Sequence, residues 1–193
     1  MFNPDGSEAE ICGNGIRCFA KYVIDHDFTS KQNFSVETLA GIKQLKTFSR
    51  NGQVQQVRVN MGAPRLHPVD IPVRGDFTMS PVADYPLTVA GRTLFLTFVN
   101  MGNPHAVTFI DEPVEQFALS EIGPQVEHHP LFPKRTNFEI VNVMGKGKLQ
   151  ARVWERGAGL TLSCGSGACA VAVAARLKEY TDKNVDITLP GGN

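Results

Sequence analysis

One short motif occurs twice in this 193-residue sequence, as Cys12-Gly13-Asn14-Gly15 and as Cys164-Gly165-Ser166-Gly167, each time leading into an apolar stretch. The second cysteine follows the first by 152 positions, from 12 to 164. A repeat at that separation calls for two related halves, each with a cysteine where a strand or turn enters a helix. After the first motif, Ile16, Ala20 and Val23, with Phe19 beside them, fall on one face at helical spacing and predict a helix over 13–26. After the second, an alanine-rich stretch predicts another over 165–180.

Between the helices the pattern changes to strands. Residues 34–61 read as a three-stranded meander, because β-favouring runs are interrupted at Ala40-Gly41 and at Asn51-Gly52, a hairpin turn pair. Residues 62–85 carry Pro64, Pro68, Pro72 and Pro81 with little periodicity, which marks an irregular crossing. Further strands are expected at 87–90, 93–99, 105–110, 138–144, 148–154 and 160–163, with a short helix within 113–125. The chain therefore divides into an N-terminal unit, 1–64, and a C-terminal unit, 65–193.

Composition narrows the partners. Nineteen basic residues balance nineteen acidic ones, so there is no basic field to attract nucleic acid or an anionic membrane surface. The longest apolar runs, at 94–99 and 168–175, fall far short of the roughly 20 residues that span a bilayer. Met1-Phe2 runs directly into Asn3-Pro4-Asp5-Gly6, without the basic and apolar regions of a secretory signal, so a reducing, cytoplasmic location is expected. Four cysteines are too few for a disulfide scaffold and read as free thiols or ligands.

The placing of two of them is chemically suggestive. A helix N-terminus has unpaired N–H groups and partial positive charge, which favour a thiolate, lower a cysteine pKa and bind carboxylates. Glycines after the cysteine let a carboxylate approach the backbone. Two thiols facing across a bound amino acid can invert its α-carbon, one removing the proton and the other returning one to the opposite face. Donors aimed at the carboxylate stabilise the charge that develops. Cys18 and Cys169 read as small buried hydrophobes. A four-cysteine zinc site is disfavoured, because offsets of six and five residues turn the second cysteine of each pair roughly 120° to 140° from the first. Taken alone, Asn3 and Asn103 read as turn residues, His105 as structural and Glu155-Arg156 as an exposed pair.

Several blocks together resemble the diaminopimelate epimerase family. They are Phe2-Asn3-Pro4-Asp5-Gly6-Ser7-Glu8 leading into Cys12-Gly13-Asn14-Gly15-Ile16-Arg17-Cys18, then Asn100-Met101-Gly102-Asn103-Pro104-His105, then Arg135-Thr136-Asn137-Phe138-Glu139. Trp154-Glu155-Arg156-Gly157 running into Ser163-Cys164-Gly165-Ser166-Gly167-Ala168-Cys169 completes the set. The resemblance implies an α+β fold of two pseudo-symmetric domains, each a curved mixed sheet wrapped around a central helix, with the site between them. It implies that Cys12 and Cys164 transfer protons and that Gly13, Asn14, Gly165 and Ser166 hold the carboxylate at the reacting centre. Asn3, Asn103, Asn137, Glu155 and Arg156 match positions that bind the rest of the substrate, and His105 and Glu155 match positions that tune the thiols.

The expected activity is interconversion of L,L- and meso-diaminopimelate for lysine and peptidoglycan precursors, with no cofactor or metal, in a cytoplasmic homodimer that binds no nucleic acid or membrane. The alternatives are a two-cysteine racemase of proline or hydroxyproline and an inactive truncated relic. Relative to the family pattern, an upstream segment with another substrate-binding motif and a stretch beyond residues 189–192 are missing, so a fragment folded mainly from about Arg65 onward is expected. Ser166 stands where threonine is usual and keeps the hydroxyl, and Pro4 replaces a frequent alanine.

Overall fold

In the computed structural model residues 6, 8, 11–77 and 79–192 are described. Helix α1 (Gly13–Asp25) is followed by β1 (Asn33–Val36), β2 (Lys43–Arg50) and β3 (Gln53–Asn60), which pair in that order as an antiparallel sheet. The β2–β3 turn falls on Asn51 and Gly52, with φ of 53° and 77°, the left-handed conformations that a two-residue hairpin turn requires and that Asn-Gly adopts with little strain. Ile16 and Ala20 of α1 pack on Leu45 of β2, with Phe34, Val36, Val57 and Val59 around them. Burial of Ile16 alone contributes about 1.5–3 kcal/mol.

The larger unit is a seven-stranded mixed sheet. Its strands are β4 (Tyr85–Val89), β5 (Arg92–Asn100), β6 (Pro104–Phe109), β7 (Asn137–Gly145), β8 (Lys148–Glu155), β9 (Gly159–Thr161) and β10 (Asp186–Thr188). The order is β10-β8-β7-β6-β5-β4, with β9 on the far end of β8; β6 with β7 and β8 with β10 are parallel, and the other pairs are antiparallel. Helix α2 (Leu119–Glu127) covers one face, where Leu119, Ile122 and Val126 meet Phe98, Phe138 and Ile140. Helix α3 (Gly165–Leu177) covers the other, where Ala170, Val171, Ala174 and Ala175 meet Val99, Val107 and Val141. The small side chains of α3 let it lie close to the sheet. The two-residue period of β6 and β7 sends Ala106, Phe138 and Ile140 to α2 but Val107 and Val141 to α3, which puts His105 and Glu139 on the α3 side.

Residues 62–85 are irregular but not detached: Arg65 bridges to Asn100 on the larger sheet, Pro68–Asp70 form one 3-10 turn, and Ile71 and Val82 enter the α2 core. The short helix lies later than expected, at Leu119–Glu127 rather than within 113–125, and β10 was not foreseen. Phe19 and Cys18 are both exposed on α1, contrary to the reading of Phe19 as part of the packed face and of Cys18 as a buried hydrophobe. The reason is geometric: only the narrow stripe carrying Ile16 and Ala20 meets the three-stranded sheet. Among the described residues, no helix is long and apolar enough to cross a membrane.

Candidate active site

Cys12 and Cys164 are the N-cap residues of α1 and α3. Their backbones are extended, with φ and ψ of −126° and 109° at Cys12 and −133° and 112° at Cys164. Each thiol accepts the third N–H of its helix, from Gly15 at 3.3 Å and from Gly167 at 3.4 Å. Each cysteine carbonyl accepts the next N–H, from Ile16 and from Ala168. The first two N–H groups of each helix, those of Gly13 and Asn14 and of Gly165 and Ser166, have no partner within the helix.

The two helix starts face each other at van der Waals contact. A Cβ built on Gly13 would stand 3.1 Å from the Cα of Gly165, and one built on Gly165 would stand 3.4 Å from the Cα of Gly13. Glycine at both places is therefore a condition of the approach. The Asn14 side-chain amide donates to the Ser163 carbonyl across the junction, and its oxygen accepts from Arg17. The Asn14 backbone N–H, with no partner within the helix, is available to an anion.

Around this junction lie Asn103, Asn137, Glu155 and Arg156, with Ile11 as an apolar wall; the cleft holds about 30 Å³ of water-accessible space. A wider groove of about 660 Å³ between α1 and β3 places no second thiol opposite Cys18. Asn137 ties the cleft wall together: its amide donates to the Pro104 carbonyl at 2.8 Å and its oxygen accepts the Arg156 N–H at 2.9 Å. Arg156 also donates to the Lys134 carbonyl, and Thr161 donates to Glu155.

His105 stands behind the cleft wall, fully buried. Its Nδ1 is 2.7 Å from Glu139 Oε1 and its Nε2 is 2.9 Å from Asn103 Oδ1. Burial raises the Glu139 carboxyl above the ordinary carboxylate value, opposed by the charge of His105 and its hydrogen bond. Burial also pushes the Cys164 thiol well above the ordinary cysteine value, and the charges of Glu155 and Glu139 push it further. The Ser166 hydroxyl and the Gly167 N–H favour the thiolate but are outweighed. The shift runs opposite to the lowered pKa expected at Cys164, because loss of water, aided by nearby acidic charge, outweighs the hydrogen bonds from Ser166 and Gly167.

The structure thus gathers Cys12, Gly13, Asn14, Asn103, Asn137, Glu155, Arg156, Cys164, Gly165 and Ser166 around one cleft, with His105 one layer behind. Asn3 lies outside the described residues. Glu155 and Arg156 are half-buried, not an exposed pair. Two supporting groups were not singled out from the sequence. Glu139 is a lone charge in the apolar run Phe138–Val141, a visible signal of a partnered buried carboxylate. Glu127 gave no such signal, yet it accepts from Trp154 Nε1 at 2.7 Å and from the Gly157 N–H at 3.0 Å and so anchors the turn that carries Glu155 and Arg156.

Two solved structures share this mixed α+β fold. A probable proline racemase from Agrobacterium radiobacter K84, solved with bound carbonate, superposes with a TM-score of 0.69 at 15% identity over 93% of this chain and 55% of that one. A hydroxyproline epimerase from Agrobacterium vitis, solved with bound trans-4-hydroxy-L-proline, superposes with a TM-score of 0.66 at 16% identity over the same shares. Sequence is more specific: the family model described as diaminopimelate epimerase matches residues 1–67 and 97–193. Curated diaminopimelate epimerases of Moorella thermoacetica and Desulfovibrio desulfuricans are 50% and 49% identical to this chain, covering all of it and 68% of their own lengths. That of Synechocystis is 48% identical, over all of this chain and 67% of its own length. The chain belongs to the diaminopimelate epimerase family.

Proposed function

We propose that this protein interconverts L,L- and meso-diaminopimelate by proton transfer between Cys12 and Cys164, serving lysine and peptidoglycan precursor synthesis. The observation that carries the reading is the pair of thiols capping two helices whose first glycines touch. One cysteine, as thiolate, takes the α-proton; the electron pair left behind is delocalised into the carboxylate, held by the N–H groups of Gly13, Asn14, Gly165 and Ser166. The other, as thiol, gives its proton to the opposite face, so the product leaves with the two sulfur protonation states exchanged. The chemistry uses no pyridoxal phosphate or metal. At the far end of the substrate, Arg156, Asn103 and Asn137, with Asn3, take the second carboxylate, and Glu155 takes the second ammonium. The same reading makes the protein a homodimer of the reducing cytoplasm.

Exchange of the substrate α-proton in deuterated solvent tests the assignment. Cys12→Ala and Cys164→Ala are each expected to abolish epimerisation in both directions, and near-normal turnover in either variant overturns the two-thiol reading. Arg156→Ala is expected to weaken diaminopimelate binding about tenfold or more, because a charge-assisted contact is lost, while thermal stability changes little. Unchanged affinity, or exchange on proline, favours a proline-type racemase instead.

A further inference from the structure

Glu139 takes no part in the proton transfer described above, yet it is only 1% exposed and sits against the start of α3. A Cβ on Gly167 would lie 2.8 Å from its Oε1, so the helix start is shaped around this carboxyl group. Oε1 meets His105 Nδ1, the other ring nitrogen meets the side-chain oxygen of Asn103, and Asn103 lines the cleft. Oε2 is buried without a hydrogen-bond partner among the described residues.

We infer that Glu139 is a positioning residue which, by sharing one proton with His105, holds the His105 Nε2–H on the Asn103 oxygen and so turns the Asn103 amide N–H groups toward the cleft as donors for the distal carboxylate of the substrate. Three proton placements are conceivable. A carboxylate beside an imidazolium and a carboxylic acid beside a neutral ring protonated at Nε2 both leave Nε2–H as a donor to Asn103. In the third, a bare carboxylate accepts from Nδ1–H and Nε2 is unprotonated; Asn103 would then have to flip and present its oxygen to the cleft. The third leaves a net negative charge on a buried pair, with one oxygen unpaired among the described residues and Glu155 close by, which is the costly arrangement. Burial raises the Glu139 carboxyl, in keeping with a retained proton. The first two placements are neutral overall and equivalent in what they do to Asn103. An amide fixed as donor accepts a carboxylate and rejects a group offering only N–H, which makes Glu139 a determinant of specificity from one layer behind the cleft.

The inference rests on the diaminopimelate reading for its ligand, and its test separates the two. In the ligand-free chain with ¹⁵N-labelled histidine, the His105 signals near neutral pH are expected to show Nε2 protonated, both in the wild type and in Glu139→Gln, whose side-chain amide can donate to Nδ1. In Glu139→Met the ring loses that partner. Titration of Glu139→Met should show meso-diaminopimelate bound about tenfold more weakly, while L-lysine, which lacks the second carboxylate, is unaffected and Glu139→Gln behaves as wild type. An unprotonated Nε2 in the wild type, equal losses for both ligands, or no loss for either overturns the inference. If Glu139→Met fails to fold, the wild-type and Glu139→Gln spectra decide. Should the wild type bind neither ligand, the substrate assignment fails, and the histidine spectra still decide the positioning role.

Discussion

Sulfur accepts a backbone N–H less well than the oxygen of Ser, Thr or Asp, so Cys12 and Cys164 cap α1 and α3 more weakly than common capping residues would. Thiols at both caps fit a chemical demand rather than a structural one. Cys164 adds a second cost, since its burial favours the protonated form. Because its folded pKa stands above the ordinary value of 9.0, the folded chain keeps this proton at pH values where the unfolded chain has lost it. The stability that this contributes is fully present below pH 9.0 and is lost as pH rises through the folded value. Cys164→Ser removes the titration and keeps a hydroxyl cap. Denaturant melts should therefore show wild-type stability falling more steeply with alkaline pH than that of the serine variant, by up to about 1.4 kcal/mol per pH unit. Parallel slopes would mean that the thiol is not held protonated.

Among the elements, the junction of α1 with α3 carries the tightest requirement. Gly13→Ala adds a methyl group 3.1 Å from Gly165 Cα, and because the obstacle is backbone, the two helix starts must part. Overpacking of this kind costs about 1–3 kcal/mol, partly offset by the better helix propensity of alanine. Displacement of one thiol from the other should lower turnover by about tenfold or more. A Gly13→Ala protein with near-normal melting and normal exchange would show that the contact does not set the spacing. Both helices and the β2–β3 hairpin were legible in the sequence, because a cap-and-glycine start, a 3.6-residue period and Asn51-Gly52 are local signals. Strand β10 was not, since three residues that pair in parallel with β8 from across α3 leave no local signature. Phe19 misled because period alone cannot say how wide a stripe the facing sheet covers, and Cys18 because the usual burial of cysteine says nothing of the face on which it falls. The candidate site was legible where a motif marked it, at both cysteines and their glycines. Glu139 and Glu127 act through tertiary contacts with His105 and with Trp154, which no spacing along the chain announces.

For the whole molecule, the two units differ in how much they bury. Among the described residues, the core between α1 and its sheet holds three buried apolar side chains, Ile16, Ala20 and Leu45, against seventeen and ten in the cores under α2 and α3. Phe19, Tyr22 and Phe28 remain 47%, 55% and 71% exposed. At about 1.5–3 kcal/mol for each large apolar side chain, the first core offsets far less of the ordering entropy of its residues. Opening of α1 with β1, β2 and β3 should thus require less free energy than global unfolding. Native-state hydrogen exchange is expected to show weaker protection over 13–60 than over β5 to β8 and α3. Because the proposed substrate carboxylate bridges the N–H groups of both helix starts, its binding should tie the weaker unit to the stronger one. At a ligand concentration one hundred times Kd, protection of α1 should rise by up to about 2.7 kcal/mol, whereas ligand held by α3 alone would leave it unchanged. Equal protection of both units without ligand would refute the inequality of the cores. A rise confined to α3 on adding diaminopimelate would refute the bridging of the two helix starts.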